Sequence, residues 1–128
     1  FWADHPELGA APCRGVGVRS GRLVTVPYSL DINDAIEYRH NTEGAEFAQM
    51  IKDHFDTVYR ESEHSGRVMC IALHPWIIGQ PHRIKHLDEA LRYVTSHDGV
   101  WRTTGEEIAD WYVEHCLPDV QAHIGAEA

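Results

Sequence analysis

A histidine stands directly after an uninterrupted apolar segment, and this placement suits proton-transfer chemistry. Residues 68–73 are Val, Met, Cys, Ile, Ala and Leu, and the segment ends at His74-Pro75-Trp76. Such a segment predicts a strand buried on both faces, and such strands belong to parallel sheets covered by helices. Active sites form at the carboxyl ends of these strands, and imidazole titrates near neutral pH. His74 is therefore the leading candidate for a general acid or base; the alternative is a histidine hydrogen-bonded beneath the following loop.

Polar side chains also follow the first β-prone segment, residues 23–26. Because the next loop leaves the carboxyl end of a strand, Tyr28, Asn33 and Asp34 are candidates for contact with a substrate. Short polar side chains also form turns and helix caps, which is the alternative for this loop. Trp76 has two interpretations as well: a stacking platform at a pocket mouth, or a packing residue.

His82 and His86 have the spacing of two metal ligands on one helix face. A zinc site needs at least a third ligand, and no cysteine or acidic residue has a matching spacing, so the alternative is a pair of solvated histidines. The chain has ten histidines, which leaves open a metal-storage protein. The three cysteines form no CxxC pair, so we expect reduced thiols, no disulfide framework and a cytoplasmic location.

The composition is that of one ordinary soluble domain. The chain has 128 residues, of which 43% are hydrophobic and 24% charged, and its formal net charge is -9. This charge argues against nucleic acid or an anionic membrane as partner, and it does not bear on neutral substrates. No apolar stretch reaches the roughly 18 to 20 residues of a membrane-spanning helix. We therefore expect no nucleic acid and no membrane as partner.

Apolar periodicity predicts three β-α units, hence an α/β fold. The predicted organisation is an irregular lead-in over residues 1–21, strands near 23–26, 67–73 and 100–102, helices over 42–65 and 84–98 and from 104, and a flexible tail over 119–128. Residues 75–81 are predicted as a loop. A central strand as apolar as 67–73 needs neighbouring strands. We therefore expect a homo-oligomer, or association with a complementary N-terminal half.

Three segments together resemble a known family. Residues 73–84 (LHPWIIGQPHRI), 96–101 (SHDGVW) and 104–109 (TGEEIA) resemble the C-terminal half of polysaccharide deacetylases of the NodB-homology type. Residues 26–34 (VPYSLDIND) are most similar to the branch of allantoinase-like and peptidoglycan-deacetylase-like proteins. The resemblance implies that residues 22–118 form the C-terminal part of a distorted (β/α) barrel of seven or eight strands.

The resemblance also implies a small-molecule or carbohydrate substrate and a reaction. It is hydrolysis of a non-peptide carbon–nitrogen bond, in an acetylated amino sugar or in a cyclic ureide such as allantoin, with His74 as the general acid. In the complete enzyme a divalent metal, commonly zinc, activates water through residues that have no counterpart here, and no metal ligand is predicted in this chain. The predicted substrate-binding residues are Tyr28, Asn33, Asp34, Trp76 and Arg83.

A second hypothesis makes the chain a catalytically silent barrel fragment. In that case the aromatic residues Tyr28, Trp76 and Trp101 would bind a carbohydrate, or the open sheet edges would mediate assembly.

Overall fold

The computed structural model describes residues 2–4 and 22–126, with side chains placed from residue 24 to residue 124. These residues fall into two compact units. One unit is Pro27–Arg102, and the other joins the residues before Pro27 to those from Thr103 onward. The elements in chain order are β1 (Trp2–Asp4), β2 (Arg22–Val24), α1 (Asp34–Arg39), α2 (Gly44–Glu61), α3 (Pro75–Ile78), α4 (Pro81–Thr95), α5 (Gly105–His115) and α6 (Leu117–Ala126).

Two amphipathic helices, α2 and α4, form the core of the unit Pro27–Arg102. On α2, Phe47, Ile51 and Phe55 recur every four residues, so one face of the helix is buried. Ile51 is fully buried and Phe47 is 2% exposed. The buried cluster contains Ile32, Phe47, Ala48, Ile51, Ile78, Leu87 and Ala90. The predicted helices over 42–65 and 84–98 are thus confirmed: α2 is a few residues shorter than predicted at each end, and α4 begins and ends three residues earlier than predicted.

Two short helices form where the sequence analysis predicts loops. The side chain of Asn33 caps α1, because its Oδ1 accepts a hydrogen bond from the backbone N–H of Ala35 at 3.1 Å. Helix α3 begins with Pro75, whose fixed φ suits the first helical position. The turn and cap interpretation of the loop after residue 26 is therefore correct for Asn33, and the prediction of an uninterrupted loop over 75–81 is wrong.

The predicted central strand over residues 67–73 is not present. Ala72 alone in this segment forms a bridge: its N–H donates to the carbonyl of Ile32 at 2.9 Å, and its carbonyl accepts from Asp34 N–H at 3.1 Å. Val68 is 41% and Leu73 38% exposed. A buried parallel strand needs hydrogen-bonding neighbours on both sides, and the described part of the chain supplies one bridge.

The remaining predicted β-α units also need correction. Residues 100–102 form no strand, and the first β-prone segment pairs as Arg22–Val24 in an antiparallel sheet with Trp2–Asp4. The described residues are therefore mostly helical, and three parallel β-α units are not seen in them. The irregular lead-in predicted over 1–21 is wrong for Trp2–Asp4, while residues 5–21 lie outside the described residues.

Helix α5 begins directly after residue 104, as predicted, and it begins with a capping box formed by Thr104 and Glu107. Thr104 Oγ1 accepts from Glu107 N–H at 3.2 Å, and a Glu107 carboxylate oxygen accepts from Thr104 N–H at 2.9 Å. Helix α6 covers most of the segment predicted as a tail; the flexibility of that segment stays a prediction. Within residues 2–4 and 22–126, no helix has the length and apolarity needed to cross a membrane. The cytoplasmic location stays a prediction.

Candidate active site

A single bridge brings two segments together and pairs His74 with Asp34. Asp34 is the first residue of α1, and His74 is the N-cap residue of α3. The backbone pairing of Ala72 with residues 32 and 34 aligns the two helix starts side by side. Two residues that are 40 positions apart in sequence thus meet where two helices begin.

The Asp34 carboxylate holds His74 through both of its oxygens. Oδ1 lies 2.6 Å from His74 Nδ1, and Oδ2 accepts a hydrogen bond from the His74 backbone N–H at 2.8 Å. Asp34 is 3% exposed, whereas the His74 side chain keeps 26% of its surface exposed. A carboxylate can only accept here, so it favours the ring form that carries a proton on Nδ1. Nε2 is then the ring nitrogen left for chemistry.

Trp76 packs edge-on against the His74 ring. The two ring centroids are 4.7 Å apart and the ring planes cross at 69°. Trp76 is 69% exposed, so most of its indole faces solvent. Its backbone carbonyl accepts a hydrogen bond from Gln80 Nε2 at 3.0 Å, which ties α3 to the start of α4. The indole therefore extends the surface next to the histidine.

A groove of about 340 Å³ lies beside Trp76. It is lined by Ala35, Tyr38, Arg39, Trp76, Ile77 and Gln80, which come from α1, α3 and the N-cap of α4. His74 is not part of this lining, and Trp76, which packs against His74, is the residue that the groove and the histidine share.

The other predicted substrate-binding residues have different surroundings. Tyr28 is 65% exposed and its hydroxyl lies 3.5 Å from Asn33 Nδ2, which donates to it. Arg83 is 8% exposed; one terminal guanidinium nitrogen donates to the Thr42 carbonyl at 3.1 Å. Its guanidinium carbon lies 5.3 Å from the centre of the Tyr38 ring. Substrate binding by Tyr28, Asn33 and Arg83 stays a prediction.

Two features of this site are not predicted from the sequence. One is the contact of Asp34 with His74, because no local spacing connects the two residues; substrate binding by Asp34 stays a prediction. The other is the position of Tyr38, because helix α1 is not predicted. Asn33 followed by acidic residues in the next turn is an N-terminal helix signal, and it could have revealed α1.

The residues described do not fit a metal centre. Among residues whose side chains are placed, no three His, Cys, Asp or Glu groups lie close enough together to hold an ion. His82 is exposed and His86 half-buried, and they remain a pair without a third ligand. Cys70 and Cys116 are free thiols, and Cys13 lies outside the described residues. No catalytic step is therefore assigned to a metal held by this chain.

The chain is similar to three known proteins over part of their length. It is 35% identical, over 120 residues, to the Schizosaccharomyces pombe protein named "Putative polysaccharide deacetylase", covering 90% of this chain and 36% of that protein. The crystal structure of a "probable Polysaccharide deacetylase" from Pseudomonas aeruginosa PAO1 matches with 38% identity and a TM-score of 0.65. The crystal structure of Puue allantoinase matches with 34% identity and a TM-score of 0.64.

Each structural match covers 70% of this chain and 31% of the other chain. The chain thus spans about a third of the length of the proteins it matches. No protein-family model matches it. The similarity agrees with the resemblance drawn from the motifs, and the partial coverage is consistent with a chain that corresponds to the C-terminal part of such proteins.

Proposed function

Because the chain is related in sequence and in fold to polysaccharide deacetylases and an allantoinase, we propose that the protein is a hydrolase of non-peptide carbon–nitrogen bonds. The observation that supports this most directly is the contact of His74 with the buried carboxylate of Asp34. A histidine fixed at one ring nitrogen and accessible at the other is suited to proton transfer.

His74 acts as the general acid in this proposal. Water adds its oxygen to the carbonyl carbon of the amide, and the carbon–nitrogen bond then breaks. The departing nitrogen needs a proton, which the His74 imidazolium donates from Nε2. Asp34 is a positioning residue: it holds the ring through Nδ1 and stabilises the imidazolium charge before the transfer. An N-acetylated amino sugar gives acetic acid and an amine, whereas a cyclic ureide opens to a single molecule that carries a carboxylic acid and a urea nitrogen.

The remaining machinery lies outside this chain in the proposal. Activation of the attacking water, by a divalent metal such as zinc and an aspartate, is assigned to the part of the complete protein that these residues do not include. The described residues offer no three-ligand site of their own. The rest of the barrel, in the same protein or in a partner, would supply both.

The substrate is an N-acetylated amino sugar or a cyclic ureide. Both carry an amide-type carbon–nitrogen bond, and both fit the description of a compact ring beside an aromatic side chain. Trp76 is the residue we assign to contact this ring, because it is exposed and touches His74.

The test is hydrolysis by the full-length gene product. Allantoin and an N-acetylated chitooligosaccharide are assayed with and without added zinc, for the wild type, His74→Ala and His82→Ala. We expect His74→Ala to lower the rate at least about a hundredfold, because the leaving nitrogen loses its proton donor. His82 is an exposed histidine on α4, so its variant should keep the wild-type rate. A His74→Ala protein that is folded and as fast as the wild type would remove the histidine from the mechanism.

A second candidate function is carbohydrate binding or assembly without catalysis. The observation in its favour is the exposure of three aromatic residues: Tyr28 at 65%, Trp76 at 69% and Trp101 at 57%. Binding of the chitooligosaccharide without hydrolysis of either substrate by the full-length wild type would favour this candidate.

A further inference from the structure

Two aromatic residues from different helices line the groove beside Trp76, and one of them is Trp76 itself. Tyr38 belongs to α1 and is 48% exposed, and Trp76 belongs to α3 and is 69% exposed. Ala35 and Ile77 add apolar surface to the lining, and Arg39 and Gln80 add hydrogen-bond donors. Apolar lining with a few polar groups is the usual composition of a site for a small ligand.

Each aromatic residue is held by a second side chain. The His74 ring packs edge-on against Trp76, with centroids 4.7 Å apart. The Arg83 guanidinium lies over Tyr38 at 5.3 Å, within the range of a cation–π contact. Because the two contacts already restrict the positions of both rings, the loss of side-chain entropy on ligand binding is smaller.

The position of Arg83 indicates a role through Tyr38. The side chain is buried, and no ion pair joins it to another of the described residues. One terminal nitrogen donates to the Thr42 carbonyl, but the buried Nε has no hydrogen-bond partner in the described part of the chain. A buried donor without a partner is costly. The guanidinium therefore contacts the Tyr38 ring and the carbonyl that precedes α2, although its Nε makes no hydrogen bond in the described part of the chain.

We propose that Tyr38 binds the ring of the substrate next to the scissile bond, and that Arg83 positions Tyr38 for this contact. The ligand is a compact ring that carries amide or amine groups, a chemistry that amino sugars and ureides share. The ring packs against Tyr38 and Trp76, and Arg39 and Gln80 donate hydrogen bonds to its oxygens. This inference rests on the proposed function for the identity of the ligand and for the location of the reacting bond.

Binding of two ring ligands tests the proposal without requiring hydrolysis. Isothermal titration calorimetry on the full-length gene product uses the glucosamine disaccharide, which is the product expected from the sugar class, and hydantoin, which is the ring of allantoin without its ureido group. We expect one of them to bind the wild type with a Kd below about 10 mM. Tyr38→Ala should raise that Kd about tenfold, and Tyr38→Phe should leave it unchanged, because the ring makes the contact.

Arg83 variants separate positioning from general stability. Arg83→Met keeps an unbranched apolar stem without the charge and should raise the Kd about threefold through loss of the cation–π contact, whereas Arg83→Lys should keep wild-type binding. Trp111→Ala is the matched control, because Trp111 is exposed to the same extent as Tyr38, 47% against 48%, and does not line the groove. Circular dichroism verifies that each variant is folded at the temperature of the titration. If Arg83→Met does not fold, the Kd values of Arg83→Lys and Tyr38→Ala still test the proposal.

The outcomes distinguish this inference from the proposed function. Binding that depends on Tyr38 in a protein that hydrolyses neither substrate would support the groove and count against the hydrolase. Hydrolysis that depends on His74, with ligand binding unchanged in Tyr38→Ala, would support the hydrolase and overturn the inference about the groove. The inference is also overturned if neither ring ligand binds the wild type, or if Arg83→Lys binds as weakly as Arg83→Met.

Discussion

At the scale of single residues, the buried carboxylate of Asp34 decides what His74 can do. Its two oxygens contact the ring nitrogen and the backbone N–H of the same residue, at 2.6 and 2.8 Å. Such an arrangement fixes both the position of the backbone and the orientation of the ring. A carboxylate that orients a catalytic histidine can contribute strongly to the rate, although it does not contact the reacting bond.

Replacing Asp34 with Asn tests this positioning role. The amide keeps the size of the side chain, and its oxygen can still accept from the His74 backbone N–H. Its NH₂ group, however, then faces Nδ1 and favours the tautomer without a proton there. We expect the rate of hydrolysis by the full-length protein to fall about tenfold to a hundredfold.

Asp31→Asn is the control for Asp34→Asn. Asp31 lies in the same loop and is exposed, so its variant should keep the wild-type rate. Equal rates for Asp34→Asn and the wild type, measured as kcat on the same substrate, would contradict the assignment of Asp34.

At the scale of elements, α2 and α4 pack together in a buried core that also contains Ile32, which precedes α1, and Ile78 of α3. Ile51 is fully buried in this interface, whereas Ile84 on α4 is 44% exposed. Burial of apolar side chains is the main source of stability in such a helix pair. The helices also share an aromatic cluster near their C-terminal ends, in which Phe55 packs against Tyr59, Tyr93 and His97.

Ile51→Ala tests the contribution of this interface. The substitution removes buried methyl groups and leaves a cavity, so we expect the free energy of unfolding to fall by about 2–5 kcal/mol. Ile84→Ala removes the same atoms from a partly exposed position and should cost below about 1 kcal/mol. Urea denaturation followed by circular dichroism measures both. Similar losses for the two variants would show that the core lies elsewhere.

The capping box of α5 predicts a dependence of helix stability on pH. The hydroxyl of Thr103 and then the backbone N–H and hydroxyl of Thr104 donate to the Glu107 carboxylate, and they lower its pKa below the ordinary value of 4.5. The carboxylate therefore stabilises the folded helix above pH 4.5, and this stabilisation is lost as the pH falls through the lower pKa of the folded state.

Thermal unfolding between pH 7 and pH 3 tests this dependence. We expect Glu107→Gln to be less stable than the wild type at pH 7 and the difference to shrink toward pH 3. Glu106 lies in the same first turn but has no side-chain hydrogen bond within the described residues, so Glu106→Gln serves as the control. A constant difference between Glu107→Gln and the wild type across this range would rule out the ionised carboxylate as its cause.

At the scale of the whole molecule, the apolar segment before His74 is only partly covered. Val68 and Leu73 are 41% and 38% exposed, and Ala72 alone in residues 67–73 forms a bridge. The chain spans about a third of the proteins it matches. Further strands, from the rest of a longer protein or from a second copy, would form hydrogen bonds with the backbone N–H and C=O groups of this segment, because unpaired strand edges recruit other strands.

We predict that a protein limited to these 128 residues associates with itself through this segment. Light scattering should give a mass above that of a monomer, and Val68→Lys should shift the mass toward the monomer, because a charge opposes burial of the segment. Val113→Lys is the control, since Val113 on α5 has the same 41% exposure. A monomeric wild type, or an equal shift in both variants, would exclude association through residues 67–73.

The sequence by itself determined the three longest amphipathic helices, α2, α4 and α5. The spacing of Phe47, Ile51 and Phe55 predicts α2 because a helix that buries one face needs apolar residues at that period. Thr104 and Glu107 predict the start of α5 because a capping box is a contact between residues three positions apart. Such signals are local, so no tertiary structure is needed to find them. The sequence also offers His74 as the candidate for proton transfer, and this role stays a prediction.

Only the tertiary structure decided which side chains meet. The contact of Asp34 with His74 and that of Arg83 with Tyr38 join residues about 40 positions or more apart, and no spacing in the sequence connects them. The strand predicted over residues 67–73 failed for a related reason. A helix makes its backbone hydrogen bonds within itself, whereas a strand needs neighbouring strands to make them. In the described residues, the segment 67–73 pairs with another segment at one bridge only, that of Ala72 with Asn33.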